Sequence, residues 1–182
     1  MDLKTEASIE DLYRVPEGGK AELVDGELVL MSPTGGQHNY AAGEIYVSLR
    51  AHARVTNRGH AVTDNAAFLV NLPKRKSFSP DAAYHFAPIT TRFFQDAPVF
   101  AVEVRSEGDY GPAAERAMTR KRADYFAAGT LVVWDIDLDG EDVIRSYRSD
   151  YPTNPTIFRR GETTSAEPAV PGWTMPVDDL RP

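Results

Sequence analysis

The stretch Val99-Phe100-Ala101-Val102-Glu103-Val104-Arg105 constrains this chain more than any other. Side chains on a strand alternate between two faces. Phe100, Val102 and Val104 therefore share one face, and Val99, Ala101, Glu103 and Arg105 the other. Both faces begin apolar, so the strand is expected to be central and covered on both sides. Glu103 then projects from the end of a buried strand. A carboxylate there needs a partner, a metal or a raised pKa. Taken alone, a structural pair with Arg105 or a lysine competes evenly with a functional role.

The rest of the chain supplies the other layers. Ser8 followed by Asp11 predicts a helix start, and Pro16-Glu17-Gly18-Gly19 its end. Asp25-Gly26 between two short apolar runs, Ala21 to Asp25 and Glu27 to Met31, predicts an N-terminal β-hairpin. Tyr40, Ile45, Leu49 and Ala53 give a helical stripe from Gln37 to about Thr56, stopped by Asn57-Arg58-Gly59. Strands are expected over Ala61 to Leu72 and Asp81 to Phe86, with a connection from Pro88 to Pro98 that holds a helical turn. A helix from Pro112 to Ala128, closed by Gly129, leads into a hairpin of Thr130 to Asp137 and Asp142 to Arg148. Beyond about residue 150 prolines and glycines predict irregular chain with one strand at most. No repeat or low-complexity tract interrupts this order. Residues 1–182 read as a single α/β domain with a mixed sheet.

Three polar positions break the apolar pattern. The first is Glu103. The second is Asp81, which follows Pro80 at the start of its strand, where proline is tolerated. Twenty-one residues separate it from Glu103, enough to leave the sheet and re-enter beside the first strand, so that both carboxylates converge on one cation. The third is Lys121. It lies on the inner stripe Ala114, Ala117, Met118, Lys121, Tyr125, Ala128, where an apolar residue is expected. It either snorkels to solvent or serves the two carboxylates as a charge partner. Glu22, on the first strand opposite the region of Val29, is either solvent-facing or a third acid. Of the four histidines only His38, near the start of the long helix, is weighed as a site residue.

Composition narrows the chemistry. The chain has no cysteine, which excludes disulfides, thiolate metal centres and a cysteine nucleophile. Any metal should then be a hard, oxygen-bound ion. The net charge of −7 argues against a basic coat for nucleic acid. Two local clusters, Lys74-Arg75-Lys76 and the four-residue series Arg50, Arg54, Arg58, are read first as solvated surface. No apolar stretch is long enough to span a bilayer, and Met1 to Glu6 lack the apolar core of a signal peptide. A soluble, cytoplasmic protein is expected. There is no glycine-rich phosphate loop and no Gly-x-Ser-x-Gly elbow.

Pro80-Asp81 followed by Glu103-Val104-Arg105 resembles the PD-(D/E)XK signature of restriction-endonuclease-like nucleases. The fuller likeness is to the Uma-two family of that superfamily. It is carried by Glu22 to Val29, Met31-Ser32-Pro33 with His38 downstream, and Ser79-Pro80-Asp81. Val102-Glu103-Val104, Lys121 through Tyr125 and Gly129 into Trp134, and Pro171-Gly172-Trp173 complete it.

The resemblance implies a restriction-endonuclease-like mixed β-sheet flanked by helices. It implies an acidic metal site of Glu22, Asp81 and Glu103, with the motif lysine moved onto the following helix as Lys121. One or two Mg²⁺ or Mn²⁺ ions would be the cofactor, with His38, Arg105 and Tyr125 as accessory residues. The partner would be a nucleic acid, with DNA the first expectation, and a homodimer would suit a cutter of two strands. The chain departs from the family at Arg105 and at Ser106-Glu107-Gly108-Asp109. Arg105 either stands in for the strand lysine or pairs with Glu103 and fills the site. The expected activity is metal-dependent phosphodiester hydrolysis. The alternative is an inactive nuclease-fold module that binds DNA or a protein.

Overall fold

The computed structural model describes residues 6–16 and 19–182. Glu17 and Gly18 of the expected first helix stop, and residues 1–5, lie outside the described residues. Ser8 starts α1 (Ile9–Tyr13) with a capping box: its hydroxyl accepts the Asp11 amide, and the Asp11 carboxylate accepts the Ser8 amide. The Asp-Gly turn joins β1 (Lys20–Val24) to β2 (Glu27–Met31) as expected. Asp25 and Gly26 have φ of 51° and 75°, the double left-handed geometry whose twist matches a two-residue hairpin. α2 (Gly36–Thr56) ends at a left-handed Asn57. Its buried side is Ala41, Ala42, Ile45 and Leu49; Tyr40, expected on that stripe, is exposed.

The strand expected over 61–72 is broken in two. β3 (His60–Thr63) ends at Asp64-Asn65, where Asn65 has φ of 63°, and β4 (Phe68–Leu69) leaves for another sheet. There it lies between β5 (Ser77–Phe78) and β7 (Phe94–Gln95). β6 (Ala82–His85) precedes β7, which stands where a helical turn was expected. Then come β8 (Phe100–Val104), α3 (Pro112–Ala127), β9 (Val132–Ile136) and β10 (Ile144–Arg148). The C-terminal stretch is more ordered than its prolines suggest. It holds β11 (Tyr151–Phe158), β12 (Thr163–Ser165), β13 (Thr174–Pro176) and a 3₁₀ turn, Val177–Leu180. β11 carries Pro152 and Pro155 because it is an edge strand, where a missing amide breaks no ladder on the open side.

The main sheet runs β11-β10-β9-β8-β6-β3. β8 and β9 are parallel and joined by α3; the other neighbours are antiparallel. It is a mixed sheet, and β8 lies well inside it with all five residues buried. Phe100, Val102 and Val104 pack with Ile45 and Leu49 of α2 and with Trp134 and Trp173. Ala101 faces the opposite cluster with Phe68, Phe78, Val133 and Tyr125 of α3. Val99 precedes the strand and packs with the first group instead. Each large apolar side chain sealed this way contributes about 1.5–3 kcal/mol. No helix among the described residues is long and apolar enough to cross a membrane.

Candidate active site

The sheet register brings the two key carboxylates together. Ala82 pairs with Val102 across antiparallel β6 and β8. One step further along that register sets Asp81 opposite Glu103 at the end of β8, as neighbours on adjacent strands. The Asp81 amide donates to the Val102 carbonyl at 3.0 Å. Its Oδ2 accepts the Val104 amide at 2.8 Å and lies 3.2 Å from His38 Nε2. Its Oδ1 lies 2.7 Å from Lys20 Nζ. Burial opposes the charge on Asp81, but the His38 hydrogen bond and the Lys20 charge outweigh it and hold the carboxyl far below its usual range.

Lys121 does not snorkel to open solvent. Its ammonium lies 2.9 Å from Glu22 Oε1 and 2.8 Å from Glu103 Oε1. Burial pushes its pKa down, yet Glu103 and Glu22 reverse the effect and raise it, so Lys121 is a fixed cation. The Tyr125 hydroxyl, one helical turn on, donates to Glu103 Oε1 at 2.6 Å. Glu103 is pushed up by burial, with Asp81 and Glu22 adding to the push and Lys121 resisting it. The pairing of Glu103 with Arg105 is not formed. Arg105 grips Asp135 at 2.7 and 2.8 Å and reaches Glu115 on α3, tying that helix to β9. Arg105 thus neither replaces the strand lysine nor fills the site.

Glu22 is drawn in by the hairpin and then held. Its Oε1 accepts the Ser79 amide at 2.9 Å, and its Oε2 lies 2.6 Å from an Arg75 nitrogen. Burial raises its pKa, but Lys121, Arg75 and the Ser79 amide bring the balance below the ordinary value. Arg75 corrects the reading of the 74–76 loop as solvated surface. The loop is stitched to β1: the Asp25 amide donates to Lys74 O and the Lys76 amide to Leu23 O. That turns Arg75 inward, where it also meets Asp124 at 2.8 Å and lies over the Phe78 ring at 4.8 Å. Phe78 stacks on Tyr125 at 3.9 Å. The hairpin, the loop and α3 are thereby joined behind Glu103.

Arg75, Lys20 and Asp64 are the residues that sequence reasoning missed. Lys20 lies two positions before Glu22, on the same strand face, and that spacing was a signal for it. Its Nζ contacts Asp64 at 2.6 Å as well as Asp81. Glu22, His38, Asp64, Arg75, Asp81, Glu103 and Lys121 all line one cavity of about 980 Å³. Asp109 lies at the same cavity and accepts the Ser106 amide at 2.7 Å. Arg50, Arg54 and Arg58 stay exposed on and just past α2. His38 sits in the first turn of α2, its Nδ1 buried without a hydrogen-bond partner among the described residues. Burial lowers its pKa, but the Asp81 hydrogen bond and charge prevail and raise it. Among the described residues no group of three Asp, Glu or His side chains is arranged to hold a metal ion by itself. The acids are interleaved with Lys20, Lys121 and Arg75.

A mixed sheet with paired acids at the ends of two adjacent strands and a half-buried lysine on the next helix is the restriction-endonuclease-like arrangement that the resemblance implies. Residues 9–178 match the model of the Uma2 family, described as "Putative restriction endonuclease", and the chain belongs to that family. A crystal structure titled as a "putative nuclease belonging to DUF820" from Anabaena variabilis ATCC 29413 superposes with a TM-score of 0.74 at 17% identity. The match covers 96% of this chain and 97% of that one. Among curated proteins none matches.

Proposed function

We propose that this chain is a metal-dependent endonuclease that hydrolyses phosphodiester bonds, with DNA as its substrate. The observation that carries the reading is the Lys121 ammonium set between Glu22 and Glu103 in a cavity that Asp81 also lines. A fixed, half-buried cation among carboxylates suits an anionic substrate whose charge grows in the transition state.

The donor set fits a hard divalent ion. Asp81 and Glu103 offer only oxygen, and Glu103 shares its nearest cation, Lys121, with Glu22. Mg²⁺ commonly takes one or two carboxylates and completes its shell with water and phosphate oxygens, so two adjacent acids suffice. Glu22 is already engaged by Arg75, Lys121 and the Ser79 amide, and acts by fixing Lys121. When bound, Mg²⁺ or Mn²⁺ would neutralise phosphate charge and make water a stronger nucleophile.

The protein's own groups do the rest. Lys121 keeps its proton through neutral pH, so it stabilises charge on the phosphate and does not act as a base. Tyr125 and Glu22 hold the two ends of that arrangement. His38 keeps Asp81 oriented and is the site's candidate for moving a proton. Cleavage of supercoiled plasmid, single-stranded DNA and RNA with Mn²⁺, against a chelator control, tests the reading. Chelator-sensitive nicking of DNA is expected; no cleavage of any of the three contradicts it. One observation favours a second reading, a non-catalytic nucleic-acid-binding module: Glu22, Asp64, Asp81 and Glu103 each already have a basic partner within the protein. DNA binding in calorimetry with no Mn²⁺ binding would support that module.

A further inference from the structure

Asp81 has little room for a metal while Lys20 holds it. Its Oδ2 is taken by the Val104 amide and His38, and its Oδ1 by Lys20. An ammonium and a divalent ion on one carboxylate oxygen repel strongly in a buried site. Yet Lys20 already touches a second carboxylate, Asp64, at 2.6 Å. Asp64 is the more open of the two, with its side chain 37% exposed against 7% for Asp81. It follows β3 in the turn at Asn65, whose amide donates to its Oδ1 at 2.8 Å, so that it is held within its own turn, whereas the Asp81 amide and Oδ2 are bonded to β8. Lys20 can therefore leave Asp81 and keep a counter-charge.

We propose that Lys20 and Asp64 form a charge-exchange pair, in which Lys20 neutralises Asp81 while no divalent ion is bound and passes to Asp64 alone when one binds. This rests on the metal reading above. The pair would keep a buried carboxylate compensated in the metal-free protein, where an unpaired charge is costly. It would also weaken metal affinity by the free energy of releasing Lys20, so that occupancy follows metal concentration. Lys20 and Asp64 are positioning residues here, acting through Asp81.

Calorimetric titration of the full chain with Mn²⁺ tests this through a double-mutant cycle. Lys20→Met frees Asp81 and should tighten Mn²⁺ binding roughly 10-fold. Asp64→Asn removes the alternative counter-charge and should weaken binding by a similar factor. In the Lys20→Met background, Asp64→Asn should change affinity less than about 2-fold. Lys20→Gln repeats the test if the methionine variant folds poorly, as judged by urea unfolding. If Asp64→Asn weakens binding equally in both backgrounds, Asp64 is a metal ligand or a long-range charge, and the exchange is overturned. Unchanged affinity in Lys20→Met or Lys20→Gln overturns it too. Asp81→Asn is the control on the underlying reading. If it binds Mn²⁺ like wild type, or wild type binds none, the metal assignment itself fails and the exchange with it.

Discussion

The Arg75 guanidinium lies 2.6 Å from the Glu22 carboxylate, with both side chains almost sealed from water. Fifty-three positions separate them in sequence, and the pair fastens the 74–76 loop to the hairpin that carries Glu22. The same guanidinium reaches Asp124, one turn along from Lys121 on α3.

Arg75→Met should leave Glu22 buried with one cation fewer. Loss of one partner of a buried ion pair typically costs about 3–5 kcal/mol, and urea unfolding should read a loss of that order. Arg75→Lys should recover only part of it. A single ammonium cannot reproduce the planar fork that serves Glu22 and Asp124 together while stacking on Phe78.

Arg105 makes a parallel case on the other side of Glu103. Asp135 is buried and accepts two of its hydrogen bonds. Arg105→Met is expected to destabilise the chain by about 3–5 kcal/mol. Hydrogen exchange should speed up at the start of α3, where Glu115 loses its anchor. Unchanged exchange there would contradict the role of Arg105 in seating the helix.

Gly59 has φ of 69°, and a Cβ there would run into the Tyr84 ring. Tyr84 is fixed by its hydroxyl bond to the Arg58 carbonyl. Gly59→Ala therefore combines left-handed strain with a displaced core ring. We expect a loss of about 2 kcal/mol or more and a fall in Tm of roughly 4–8 °C, read by calorimetry.

His85 gives a pH-dependent signature away from the site. Its buried ring is edge-on to Phe68 and Phe94. Burial lowers its pKa from 6.5, offset only in part by the Gln95 backbone and Asp96. The fold thus favours neutral imidazole, and the unfolded chain binds the proton more readily. Its contribution is complete above pH 6.5 and is lost as pH falls from there toward the folded value. His38, with a raised pKa, works in the opposite sense: its contribution is lost as pH rises above 6.5. Urea midpoints of wild type and His85→Phe between about pH 5 and 8 separate the two. The difference between them should shift in favour of the variant as pH falls.

Much of the fold and part of the site are legible in the amino-acid sequence. The alternation in 99–105 locates the central strand, and the Asp25-Gly26 pair locates the hairpin. Lys121 stands out because a charge on an apolar helical stripe needs a reason, although of that stripe only Tyr125 is buried, and Ala114, Ala117 and Met118 line the cavity with Lys121 instead of facing the core. The parts that are not legible have a common physical cause. Arg75 and Lys20 act across 53 and 61 residues of chain, through a loop and a strand end whose placement depends on the assembled sheet. A basic triplet in a loop has no periodicity to reveal that its middle residue is buried. β11 is hidden for a different reason: prolines argue against a central strand, and only the finished sheet shows that this strand is at the edge.

The most direct measurement compares wild type, Asp81→Asn and Lys121→Ala in Mn²⁺-dependent cleavage of plasmid DNA, each first shown to be folded by its urea transition. Removing a site acid or the fixed cation should lower the cleavage rate by at least ~100-fold in both variants. Equal rates in all three proteins would contradict the assignment of this cavity as the active site.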